Sequence, residues 1–392
     1  MKRGNEENNH KTSSSSSTER LSRRKISAGE KSGNVNIPLD LTVEILKKLP
    51  AKSLLRFQCV SKQWLSIISS RRDFIDSIVT RSLTQPPPRD IKLIFHHQVL
   101  YPGPHFFIFS STYPQNTDKE SLTTRATFYH YVRGLICCWS VFPTTVDIYN
   151  PTTRQYYTVP DTNRYQLINT CFFGYDPLEN QYKVMVLPKY YMEESPCQVF
   201  TVGDPMEKPW RNIKGIGLHY PLKRTVCING VIYYRASNEY DGSTFFLVSF
   251  DVRSEKFNHV NAPEILMDHP CTLINYQGKL GFMCCKKGVE IWVMEDVDKK
   301  QEWSKIIFYE MEGLEKWLIK GVTHGGEIVF VNWMLNNTRS YKKLFVFHYE
   351  PMRNSMRRVE VEGTMVEDIE HEHKHCLRIW AVPNLVENTM RL

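Results

Sequence analysis

No stretch of this chain is long and apolar enough to read as a membrane helix. The longest run without Asp, Glu, Lys or Arg, Leu93 to Thr117, is broken by Pro102, Gly103, Pro104 and Pro114 and carries three histidines; such a segment would leave its backbone unsatisfied in hydrocarbon. A signal-peptide core is missing as well. Met1, Lys2 and Arg3 lead into the serines Ser13 to Ser17 rather than into apolar residues, so secretion is not expected. The ten cysteines contain no CxxC spacing. Reduced thiols packed as small apolar groups, in the cytoplasm or nucleus, are therefore expected. Enzyme signatures are equally scarce: GxSxG, GxxxxGK, GxGxxG and Asp-box repeats are all absent, and neither a catalytic residue nor a cofactor is expected.

Unbalanced charge is missing over most of the length. Residues 1–34 and 35–85 each hold eight Lys/Arg against four Asp/Glu, whereas 86–392 hold 34 of each, so the whole excess of +8 lies in the first 85 residues. Phosphate neutralisation needs clustered basic residues, which a neutral 307-residue remainder does not offer. Nucleic acid is thus not the expected partner, and neither is a membrane. What the chain does have is 12% aromatic and 23% charged residues, the composition of a folded globular protein.

Four segments follow from changes in composition. Residues 1–34 are polar and rich in Ser, Asn, Lys and Arg, the pattern of a disordered tail; Arg23, Arg24 and Lys25 are a candidate nuclear-import cluster, although basic triplets are common in solvated tails. Residues 35–85 are helical in character. Asp40 is placed to cap a helix carrying Leu41, Ile45 and Leu49 and ended by Pro50; Ser53 caps a second with Leu54 and Phe57, Ser61 a third with Trp64, Leu65 and Ile68, and Asp73 a fourth with Phe74, Ile78 and Val79. Four helices in some 50 residues make a small core, so part of this apolar surface is expected to be buried against a partner. Residues 86–90, opening with Pro86, Pro87 and Pro88, form a stiff break.

Beyond that break, 91–392, the period changes to that of short strands. Gly134, Gly230, Gly278 and Gly326 each precede an apolar run, at separations of 96, 48 and 48, and each run is followed by an aromatic-flanked polar turn such as Tyr149-Asn150-Pro151 or Phe250-Asp251. A period near 48 matches the blade of a β-propeller, and the length allows about six. The glycines and turn acids, Asp176 and Asp251 among them, are read as turn formers rather than catalysts.

The run from Ile37 to Trp64 closely resembles the F-box of plant proteins, departing mainly at Gln58. Arg133-Gly134-Leu135-Ile136-Cys137, Tyr149-Asn150-Pro151-Thr152-Thr153-Arg154 and Phe173-Gly174-Tyr175-Asp176-Pro177 look like the plant F-box-associated domain, a kelch-like propeller. The resemblance implies a small all-α F-box followed by an all-β propeller. It also implies a non-catalytic substrate receptor of an SCF-type cullin–RING ubiquitin ligase, whose F-box docks on a Skp-type adaptor while the propeller presents a target protein. Carried over by motif, the adaptor contacts are Pro38, Leu41, Ile45, Leu49, Leu54, Val60 and Trp64, set against the plainer reading that several only pack the F-box itself, a reading of equal weight for Phe57 and Ile68. A net charge of +4 over 35–85 suits an acidic partner.

Two alternatives stand beside this one. A binding scaffold outside any ligase has the same sequence features. A zinc hydrolase is suggested only by His371-Glu372-His373-Lys374-His375, where His371 and His375 would be ligands and Glu372 the base; the acidic surroundings and the missing third ligand favour a charged loop, and no metal is expected. Cys137 and Cys284 are conceivable nucleophiles but lie in apolar strand-like runs. For the target, Trp139, Trp210, Trp317 and Trp333 are candidate anchors, each weighed against a core role that is favoured. The segment from Val382 onward is expected to supply a closing strand.

Overall fold

The computed structural model describes residues 37–84, 92–97, 105–110, 120–122, 128–141, 144–160, 168–188, 197–203, 210–217, 219–239, 244–267, 271–284, 289–295, 302–309, 317–323, 325–332, 344–361, 377–382 and 385–392. The tail 1–34, the linker 86–90 and the HExxH segment lie outside the described residues. Contacts divide the chain into two units, Met1–Thr42 and Val43–Leu392.

Four helices come first: α1 (Leu39–Lys47), α2 (Ala51–Phe57), α3 (Lys62–Ser70) and α4 (Arg72–Thr84). Ser61 caps α3 as expected, its side chain accepting from the Trp64 amide at 3.1 Å. The other caps differ. α2 begins directly after Pro50, whose fixed φ suits a helix start, so Ser53 lies inside the helix. Asp40 and Asp73 lie in the first turns of their helices, where a carboxylate complements the helix dipole.

The rest is all β. The described strands form six four-stranded antiparallel sheets. Five are simple meanders: β4–β7 within 128–158, β8–β11 within 168–213, β12–β15 within 220–260, β16–β19 within 272–309 and β20–β23 within 317–361. The sixth joins β1 (Lys92–His97), β2 (His105–Ser110) and β3 (Glu120–Leu122) to β24 (Leu377–Val382) from the far end of the chain, in the order β24-β1-β2-β3. The first strands of successive meanders adjoin one another, and β20 adjoins β24. The expected fold class, helices followed by a propeller, therefore holds. One detail is corrected: the closing strand ends at Val382 instead of starting there, because its register on β1 runs from His97↔Leu377 to Lys92↔Val382.

Each described hydrophobic cluster of the β domain spans two neighbouring sheets. In β5 (Leu135–Val141), Leu135, Cys137 and Trp139 pack with Cys171, Phe173 and Val184 of the next sheet. Ile136 and Cys138 point the other way, into a cluster with Val382 of β24. Strand side chains alternate faces, so a strand buried on both sides reads as a continuous apolar run. Vicinal Cys137 and Cys138 thus serve opposite interfaces. The cysteine expectation fails at one pair: Cys271 and Cys284 form a disulfide. Cys271 immediately precedes Thr272, which faces Met283, and Cys284 follows Met283 at the end of the partner strand, so the hairpin register sets the two directly opposite each other.

The repeated turns have the expected chemistry. Arg133–Gly134 and Asn229–Gly230 both take two successive positive φ values, +43° and +89°, +48° and +83°, the two-residue hairpin geometry that needs glycine at its second position. Asn150 and Asp176 accept backbone N–H bonds two residues on, each at 2.9 Å. They are turn formers.

One ionic cluster ties neighbouring sheets. Glu255, in the turn after β14 (Phe245–Asp251), accepts from Lys183 at 2.8 Å and from Arg211. Burial alone would raise its carboxyl, but the two cationic donors outweigh that and hold it below its ordinary value of 4.5. A depressed folded-state pKa gives stability that is fully present above pH 4.5 and disappears as pH falls through the folded value. Glu255→Gln is therefore expected to lower the melting temperature at pH 7 and to lose less stability than the wild type between pH 5 and about 3. Parallel acid titrations of both proteins would refute this if their losses coincide.

Candidate functional site

Val43, Leu46, Leu54, Ile67, Ile68, Phe74 and Ile78 fill the core of the helical unit, with Leu49, Phe57 and Trp64 half-buried at its edge. Trp64 meets Phe57 edge-on at 5.6 Å between ring centres. Arg81 of α4 donates to the carbonyls of Lys47 and of Leu49, the latter at 2.9 Å, and so holds the end of α1.

With that core filled, several large apolar side chains remain in solvent. Leu41 is 56% exposed, Ile45 52% and Val60 57%; Ile37 and Leu39 are exposed too. Leu41 and Ile45 lie one helical turn apart in α1. Exposed aliphatics of this size are candidate contact residues. Lys48, Lys52, Arg56 and Lys62, all exposed, add positive charge.

The structure sorts the seven motif-derived residues into three groups. Pro38, Leu41, Ile45 and Val60 are exposed. Leu49 and Trp64 are half-buried and pack on the helical core. Leu54 has no exposed surface and belongs to that core, where it holds α2 against its neighbours. Ile68 is likewise fully buried, and Phe57 half-buried. Leu54→Ala is accordingly expected to destabilise the helical unit by about 2 to 5 kcal/mol, the range for truncating a buried leucine; urea unfolding followed on the Trp64 fluorescence would measure it, and a change under about 1 kcal/mol would contradict the burial. Ile37 and Leu39 escaped the sequence reading. Their apolar side chains beside Pro38 were the available signal, but periodicity alone does not say which face of a short helix is covered.

The other candidate residues do not come together as a site. Trp139 is 1% exposed and packs on Phe128 and His130. Trp210 is half-buried over Phe200 and donates its indole N–H to the Pro160 carbonyl at 2.8 Å. Trp317 opens β20, its side chain outside the described set, and Trp333 lies wholly outside it. Burial pushes the Cys137 thiol well above its ordinary value, with Cys171 and Asp147 adding to the effect. Cys284 is held in the disulfide. Among the described residues no three His, Cys, Asp or Glu side chains are grouped to hold a metal, and no helix is long and apolar enough to cross a membrane.

Comparison with known families agrees with this division. A model of the F-box domain matches residues 35–76, and one of the F-box associated beta propeller domain matches 92–386. An Arabidopsis thaliana protein named as an F-box protein, At1g32420, is 90% identical over 303 residues, covering 77% of this chain and all of that protein. F-box protein At1g52495, also from Arabidopsis thaliana, is 42% identical over 383 residues, covering 92% and 88% of the two chains. Among solved structures, a chain of the nidogen/laminin complex aligns over 75% of this chain and 99% of its own length at 10% identity, with a TM-score of 0.43.

Proposed function

This chain belongs to the plant F-box proteins that carry an F-box-associated β-propeller domain, and from that premise we propose that it is the substrate-recognition subunit of an SCF-type cullin–RING ubiquitin ligase. The observation that carries the reading is the set of aliphatic side chains left exposed around a filled helical core. In this reading Pro38, Leu41, Ile45 and Val60 make the docking contacts on a Skp-type adaptor, Leu49 and Trp64 shape the edge of that surface, and Leu54 supports it from beneath. The surplus of Lys and Arg over 35–85 steers an acidic adaptor to it.

The propeller holds the target, and ubiquitin transfer is left to the cullin and RING subunits, so the chain itself contributes placement rather than chemistry. Such a protein works in the cytoplasm or nucleus, where these partners meet. The test is direct. The purified full chain is titrated with a Skp-type adaptor by calorimetry, and a micromolar or tighter Kd is expected; absence of binding at 100 µM adaptor (~5.5 kcal/mol) would sink the proposal. Recovery of cullin and RING subunits with the chain then separates a ligase component from a stand-alone scaffold.

A further inference from the structure

Residues 385–392 have no regular secondary structure, yet they are among the best-anchored residues of the chain. Val386 is 3% exposed, and Asn388 and Thr389 have no exposed surface. Their partners alternate. Val386 N–H donates to the Tyr131 hydroxyl at 2.8 Å, Asn388 N–H to Thr152 Oγ1 at 3.0 Å and Leu392 N–H to Gln155 Oε1 at 3.1 Å, all on the propeller. Glu387 N–H donates instead to Ser82 Oγ of α4 at 3.1 Å, and Arg391 N–H to the Ser69 carbonyl of α3 at 3.1 Å. The Glu387 carboxylate accepts from the Ala51 amide at 3.4 Å and faces the Arg81 guanidinium at 3.7 Å. An extended chain turns successive residues to opposite sides, so this segment bonds helices with one edge and the propeller with the other.

Asn388 is the fixed point. Its side-chain amide donates to the Arg133 carbonyl and the Tyr182 hydroxyl, both at 2.9 Å, and its oxygen accepts the Met390 amide at 2.9 Å. Asn150 reaches back to the Asn388 and Met390 carbonyls at 3.0 and 2.8 Å. A buried amide with both donors used and its oxygen engaged gives orientation rather than mere adhesion. Gly134 makes room for it: at φ +89°, a Cβ there would stand 2.6 Å from the Asn388 Cβ.

We propose that residues 385–392 are a two-sided strap that positions α2, α3 and α4 on the propeller, with Asn388 as its anchor and Glu387 as its helix-side hook. Closure of the propeller is separate, since β24 pairs with β1 before the strap begins. The strap therefore fixes the adaptor-docking helices relative to the target-holding domain, a consequence that rests on the receptor reading, whereas the strap itself does not.

Hydrogen exchange on the full chain tests it. In Asn388→Ala, and separately in Ser82→Ala/Glu387→Ala, amides of α3 and α4 are expected to exchange at least tenfold faster, while those of β24 and β1 stay within twofold of wild type. The double variant touches only the helix side, so a failure of Asn388→Ala to fold leaves the test intact. Wild-type rates in α3 and α4 of the double variant would overturn the proposal, as would equal acceleration of β24, which would make the segment part of closure. Adaptor binding by the wild type is measured alongside; its loss would remove the receptor reading and leave the exchange comparison standing.

Discussion

A chain ending before Leu377 is expected to unfold at a markedly lower temperature than one that keeps β24. β24 pairs with β1 along six consecutive positions, and Val382 at its end is buried with Tyr129, Ile136, Cys138 and Tyr149 of the next sheet. Without it, β1 has an open edge, β20 loses its neighbour, and an apolar interface meets water. Sheets of this kind bury their cores only against one another, so an open ring exposes two faces at once. Burying a single side chain of this size contributes about 1.5 to 3 kcal/mol, and a domain has only some 5 to 15 kcal/mol to lose. A chain ending after residue 384 keeps β24 and is the control. Circular dichroism melts of the two truncations should differ by at least about 10 °C, given about 2 to 4 °C per kcal/mol for domains of this class. Coincident melts would show that closure does not depend on β24.

Ile45→Asp combined with Val60→Asp is expected to weaken adaptor binding at least 100-fold. Both side chains are about half in solvent in the free chain, so the substitutions leave the helical core of Val43, Leu46, Leu54 and Phe74 untouched. In the complex each carboxylate would be desolvated without a partner, which costs several kcal/mol. A tenfold loss of affinity corresponds to 1.4 kcal/mol, so two such penalties remove detectable binding. The new negative charges would also oppose an acidic partner. Leu49→Asp and Trp64→Ala are blunter probes, since both residues pack on the helical core and their loss mixes stability with binding. Calorimetry against a Skp-type adaptor, with an unchanged melting curve as the check on folding, decides the matter. A double variant that folds and binds as wild type would refute the docking surface.

Much of the architecture was legible because it is local. The four helices, the Ser61 cap, the glycine hairpins and the turns at Asn150 and Asp176 all depend on groups two to four residues apart, and such bonds are visible in composition and spacing. The docking surface was only half legible. α1 carries apolar residues on more than one face, and periodicity marked Leu41, Ile45 and Leu49 as a stripe. The core took Val43 and Leu46 and left Leu41 and Ile45 outside.

By itself, then, the sequence determined that short helices precede a series of twisted hairpins, because propensity, capping and turn chemistry act within a few residues. The tertiary structure alone decided that Leu54 is interior, that Cys271 meets Cys284, that β24 completes the sheet begun by β1, and that residues 385–392 lie between the helices and the propeller. Those contacts join residues from a dozen to several hundred positions apart. Register over such separations is chosen by which surfaces fit and bury together, and no local pattern encodes that choice.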